Sequence, residues 1–154
     1  MLSTLATHSL IDLEVKAEGE LEHHVVEDVA LALGQALNKA LGDRTGIRRF
    51  GDAIVPMDDA LAIAAVDLVR RPFASIQLQI ERTMVEDAPR EDLEHFLPSL
   101  STSLEATVHV KVLEGRNDHH KLEAAVKAFA TALGSAIAVD SRRTHTAPSS
   151  KGVM

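Results

Sequence analysis

The sequence has no cysteine, no tryptophan and no tyrosine, and only four phenylalanines. Without thiols, disulfides and thiolate chemistry are excluded, so any metal must be held by imidazole and carboxylate. A cysteine-free chain fits the cytosol, where disulfides are rare. Without Trp and Tyr, stacking platforms for bases or sugars are missing. No apolar run reaches the length of a membrane span, and the first residues do not read as a basic-then-apolar leader. Basic charge is also short. The net charge is −7 with histidines neutral, which argues against binding to a nucleic-acid backbone.

What is present is a core. The apolar fraction is 45%, which suits a globular domain of this length. Histidine is the unusual resource. "ELEHHVVEDVALALGQAL" carries His23, His24 and Glu27, and "RNDHHKLEAAVKAFATAL" carries His119, His120 and Glu123 in the same relative places.

The two stretches belong to a repeat. Residues 22–41 read as an amphipathic helix through Val26, Ala30, Leu33, Leu37 and Leu41. Residues 118–139 read the same way through Leu122, Val126, Phe129, Leu133 and Ile137, each at an offset of 96. Upstream, "LIDLEVKAEGE" and "ATVHVKVLEGR" alternate as half-buried strands do. Before each lies a short helical stretch, "MLSTLATHS" and "HFLPSLSTS". Each unit therefore reads helix, strand, helix, with boundaries near 1–80 and 81–154 in one domain. Between the units, "GIRRFGDAIVPMD", "DALAIAAVDLVRR" and "FASIQLQIE" read as strands and "RTMVEDAPRED" as a polar loop. The tail has no periodicity. Upstream of the histidine doublets the offset is 95, so Met1 falls on Phe96 and the counterpart of His95 would directly precede Met1. The expectation is a start at an internal methionine, inside an element that the second unit has whole.

An α-helix advances about 100° per residue, so adjacent histidines cannot point the same way. An HHxxE helix can thus serve two metal ions, the glutamate sharing one of them. Nitrogen and oxygen donors without sulfur suit Mn²⁺ or Fe²⁺, with Zn²⁺ also compatible. His95 is a further candidate ligand. His109, matched in the repeat by Glu14, reads as a packing or surface residue, and His145 as solvent-exposed. Arg48 with Arg49, and Arg70 with Arg71, would alternate on strands. Inward-facing arginines clamp phosphate well, though spacing alone favours a solvated face.

Taken in order, "EHHVVEDVALALGQAL", "RRFGDAIVPMDDAL", "EHFLPSL", "RNDHHKLEAAVKAFATAL" and "SSKGV" resemble the imidazoleglycerol-phosphate dehydratases of histidine biosynthesis. The likeness covers essentially the whole chain, and the paired HHxxE motifs are its most specific part. Family members carry a further segment at the front, ending in "FFDHM", whose Met looks like Met1. The resemblance implies an α/β (α+β) fold of two similar halves, with helices packed between two mixed sheets. It implies a dimanganese site and a hollow homo-oligomer of 24 subunits in the cytoplasm. The implied metal ligands are His23, His24, Glu27, His95, His119, His120 and Glu123, with Glu27 and Glu123 as catalytic carboxylates. The implied substrate and phosphate contacts are Arg49, Arg71, Lys127, Ser149 and Lys151. The implied reaction removes water from imidazole glycerol phosphate to give imidazole acetol phosphate. A catalytically inactive, metal-assembled shell or regulatory subunit is the competing expectation.

Overall fold

The computed structural model describes residues 1–143 and 146–150. In chain order the elements are α1 Leu2–Ser9, α2 Glu22–Leu41, β1 Phe50–Met57, β2 Ala60–Asp67, β3 Phe73–Gln77, β4 Met84–Val85, β5 Ala88–Pro89, α3 Arg90–Ser103, β6 Thr107–Glu114 and α4 Asp118–Ile137. Four strands form one mixed sheet in the order β1-β2-β6-β3. β1 and β2 form an antiparallel hairpin, β2 and β6 pair antiparallel, and β3 runs parallel to β6. Asp58, in the tight β1–β2 turn, takes the positive φ of 48° that such turns use. The class is the expected mixed α/β.

The core lies between this sheet and α4. Ala60, Ala62, Ala64 and Val66 of β2 and Val108, Val110 and Val112 of β6 point inward and are buried. Opposite them α4 buries Ala124, Ala128, Ala132 and Ala136. Small side chains on both surfaces let the helix lie close, and β-branched residues fill the pleat. α2 is different: it buries only Ala30, Leu33 and Gly34 among its twenty residues. It packs on α3, while α1 packs on α4. Each pairing has a glycine at its closest approach. A Cβ on Gly34 would lie 2.5 Å from the Leu100 carbonyl oxygen, and one on Gly134 2.9 Å from that of Ser9. α2 and α4 have matching bounds at the offset of 96.

Several expectations are corrected. Residues 11–19 form no strand, and most of that stretch is exposed. Alternation alone cannot make a strand, because its backbone groups need neighbours. β6 finds them in β2 and β3, whereas residues 11–19 pair with no strand among the described residues. Arg48 and Arg49 precede β1, and Arg49 has a φ of 74°, so the pair does not alternate on a strand. Arg70 and Arg71 follow the end of β2 and also lie off it. The polar stretch 82–92 holds the β4–β5 hairpin and the first turn of α3, which begins at Arg90 rather than His95. Among the described residues no helix is long and apolar enough to cross a membrane.

Candidate metal and substrate site

His23 and His24 stand in the first turn of α2, and α3 brings His95 alongside. The His23 ring lies 6.0 Å from the His24 ring and 6.0 Å from that of His95. Asp92, one turn before His95, places Oδ1 2.5 Å from His23 Nδ1. That hydrogen bond raises the His23 imidazole above its ordinary value; partial desolvation opposes it, and the charges of Asp92, Glu91 and Glu27 add to it. Glu27 follows on α2, half-buried.

The second doublet opens α4. Asn117 caps the helix, its side chain accepting from the His119 backbone N–H at 2.9 Å. His119, Glu123 and Lys127 then form a row along one face. His119 Nε2 is 3.2 Å from Glu123 Oε2, and Lys127 Nζ is 2.8 Å from Glu123 Oε1. The hydrogen bond from Lys127 holds the Glu123 carboxyl below the usual range, against a desolvation that raises it; the charges of Lys127 and His119 contribute further. Glu86, on the β4–β5 turn, reaches His119 Nδ1 at 3.2 Å. His120 points elsewhere, its ring centre 5.9 Å from that of His119. Its Nδ1 is 2.5 Å from Asp59 Oδ1, and its Nε2 is 3.3 Å from Asp58 Oδ2. Asp59 also accepts from the backbone N–H groups of Arg116 and Asn117. The His120 bond first, then these two, hold its carboxyl far below the usual range. A cleft of about 620 Å³ has both Asp92 and His119 in its wall, and a smaller one of about 290 Å³ is bounded by Glu86, His119 and Glu123.

The donors fit a borderline divalent ion in kind, since all are nitrogen or oxygen. His23 has Nδ1 on an aspartate, as metal-bound histidines commonly do, which leaves Nε2 as its donor atom. His120 also has Nδ1 on an aspartate, but its Nε2 faces Asp58. Among the described residues, no three of these side chains converge as ligands of one ion.

Arg49 has its guanidinium oriented from two sides. Nε and Nη2 donate to the two Asp67 oxygens at 2.7 and 3.0 Å, and Nη1 donates to the Pro148 carbonyl at 2.9 Å. The cation lies 4.6 Å over the Phe50 ring. This arrangement brings the segment carrying Ser149 to the end of the sheet beside Arg49. Arg71 is exposed, with its backbone carbonyl accepting from Thr107 Oγ1. His109 is exposed, its ring 5.4 Å from Phe73, in keeping with a surface role. Lys151 and His145 lie outside the described residues. Asp92, Asp59, Glu86 and Asp67 were not visible as partners in the sequence. Asp92 and Glu86 fall in the stretch that reads as a polar loop, and the helix that sets Asp92 one turn before His95 emerges only in the fold.

The family profile described as imidazoleglycerol-phosphate dehydratase matches residues 1–133. The chain belongs to the imidazoleglycerol-phosphate dehydratase family. It is 48% identical to the imidazoleglycerol-phosphate dehydratase of Methanothermobacter thermautotrophicus, over 99% of this chain and 78% of that protein. It is 48% identical to the chloroplastic enzyme of Pisum sativum, over all of this chain and 56% of that protein. The fold matches the crystal structure of the Pyrococcus furiosus enzyme in complex with (S)-C348. The TM-score is 0.87 at 37% identity, over 99% of this chain and 83% of that one. The Staphylococcus aureus enzyme matches with a TM-score of 0.86 at 33% identity, over 90% and 81% of the two chains.

Proposed function

We propose that the chain dehydrates imidazole glycerol phosphate to imidazole acetol phosphate, a step of histidine biosynthesis, at a site for two Mn²⁺ ions completed by further copies of the chain. The observation that carries this reading is the pair of HHxxE helix starts, the second with the row His119, Glu123, Lys127 along one face of α4. His23, His24, Glu27, His95, His119, His120 and Glu123 would hold the ions. Bound divalent metal would supply Lewis-acid charge that favours loss of the substrate's ring proton.

The elimination breaks a C–O bond and a neighbouring C–H bond. Glu123, kept ionised by Lys127, has the charge needed to accept the C–H proton at neutral pH. Glu27 is its counterpart on α2. The departing hydroxyl leaves as water once protonated, and the enol that remains ketonises. Arg49, Arg71, Lys127, Ser149 and Lys151 serve the phosphate, which takes no part in bond-breaking but fixes the substrate's register. Asp67 presents the Arg49 fork in one orientation, the preorganisation that phosphate recognition rewards. The cysteine-free composition fits a cytoplasmic enzyme.

Turnover of imidazole glycerol phosphate by the Mn²⁺-loaded chain tests the proposal. Glu123→Gln is expected to lower kcat by roughly 10²- to 10⁴-fold. Full activity in that variant would overturn its role. A chain that takes up Mn²⁺ and assembles, yet turns nothing over, would be the inactive shell instead.

A further inference from the structure

We infer that Asp92 is a positioning residue, fixing the ring and tautomer of His23 so that the Nε2 lone pair is the one offered to metal. The inference rests on the reading of His23 as a ligand. Asp92 lies in the first turn of α3 with its side chain only 4% exposed. Among the described residues its one side-chain hydrogen-bond partner is His23, at 2.5 Å. The cleft wall it shares sets apolar Val25, Val26, Leu93 and Phe96 beside charged Glu22 and Glu86. A carboxylate there costs free energy unless paired, and a leucine would pack better. The start of a helix tolerates negative charge, which eases that cost without explaining the residue. What the carboxylate gains is a single acceptor aimed at His23 Nδ1, from the same helical face that carries His95 one turn on. A proton on Nδ1 donated to Asp92 leaves Nε2 unprotonated and the ring unable to turn.

The second doublet supplies an internal comparison. At the repeat offset His23 falls on His119, whose Nδ1 meets Glu86 at 3.2 Å. Glu86 is 68% exposed and sits on a hairpin turn rather than on a packed helix. The two equivalent histidines are therefore oriented unequally: His23 by a buried carboxylate, His119 by a solvated one. The two histidine side chains are about equally exposed, so the difference lies in the carboxylates: solvent competes more strongly for Glu86 than for Asp92.

The test is solid-state ¹⁵N NMR of histidine-labelled, metal-free full chain at alkaline pH, where imidazoles are neutral, with Mn²⁺ affinity measured alongside. His23→Gln assigns the His23 signals. The unmodified chain should show His23 protonated at Nδ1. Asp92→Leu should lose that preference and bind Mn²⁺ about 10- to 100-fold more weakly. Asp92→Asn, whose Oδ1 still accepts, should keep the tautomer and recover most of the affinity. Glu86→Gln should leave the His23 signals unmoved. An Nε2-protonated His23 in the unmodified chain, or a tautomer indifferent to Asp92→Leu, overturns the inference. Should His23→Gln bind Mn²⁺ as well as the unmodified chain, the ligand reading itself fails, and the purpose assigned to Asp92 fails with it.

Discussion

Arg49 is built at a cost. Its φ of 74° is uncommon for a residue with a side chain, and its guanidinium is bound by Asp67 and the Pro148 carbonyl at once. Lysine cannot reproduce the planar fork. Arg49→Lys should therefore raise KM for the phosphate substrate about tenfold or more while leaving Mn²⁺ content unchanged, as read by steady-state kinetics and metal analysis. A loss confined to kcat would place the residue in the chemistry instead. Asp140 makes a separate residue-scale prediction. Its hydrogen bond from the Arg142 side chain, then that from the Arg142 backbone, lowers its carboxyl, with the charges of Arg142 and Arg143 adding and desolvation opposing. A depressed folded value means stability that is complete above the ordinary carboxylate range and lost as pH falls through the folded value. Asp140→Asn should thus lower Tm at neutral pH, and the difference should close by about pH 2. Melting curves against pH check the sign.

Elements are held together by a residue that reads as loop in the sequence. Arg44, within the turn "LGDRTG", is fully buried. It donates to the carbonyls of Leu104 and Glu105 at 2.6 and 3.0 Å, at the C-terminal end of α3, and to Asn38 Oδ1 of α2 at 2.9 Å. A cation suits a helix C-terminus, and here it ties two parallel helices together at the end away from the histidines. Arg44→Ala would strand buried acceptors, with an expected loss of about 3 kcal/mol or more in urea unfolding. A variant as stable as the unmodified chain would show that water replaces the guanidinium. Legibility in the sequence followed the locality of the cause. The bounds of α2 and the start of α4 were readable because helical periodicity and backbone bonding are contained in the segment itself. The doublets came with them, since their spacing is local. The stretch 11–19 misled because a strand is made by its neighbours. The arginine pairs misled because a positive φ at Arg49 and at Arg70 breaks the alternation. The pairing of His120 with Asp59 spans 61 residues and has no local trace.

At the scale of the whole molecule, the candidate ligands are spread over three helices. α2 leaves much of its surface uncovered, and the donors on α2, α3 and α4 do not converge within one chain. If copies complete the site, metal binding and assembly are one equilibrium. An ion that binds only the assembled fold stabilises it by about 2.7 kcal/mol at a hundredfold excess over Kd. Chelation should therefore lower Tm, and the melting temperature should rise with Mn²⁺ concentration. The direct measurement is native mass spectrometry across a Mn²⁺ titration, reading ions per chain and chains per particle in the same spectrum. The predicted result is a multi-chain particle that fills toward two ions per chain and comes apart when they are chelated. Single chains that hold two ions each, or a particle whose size ignores the metal, would contradict it.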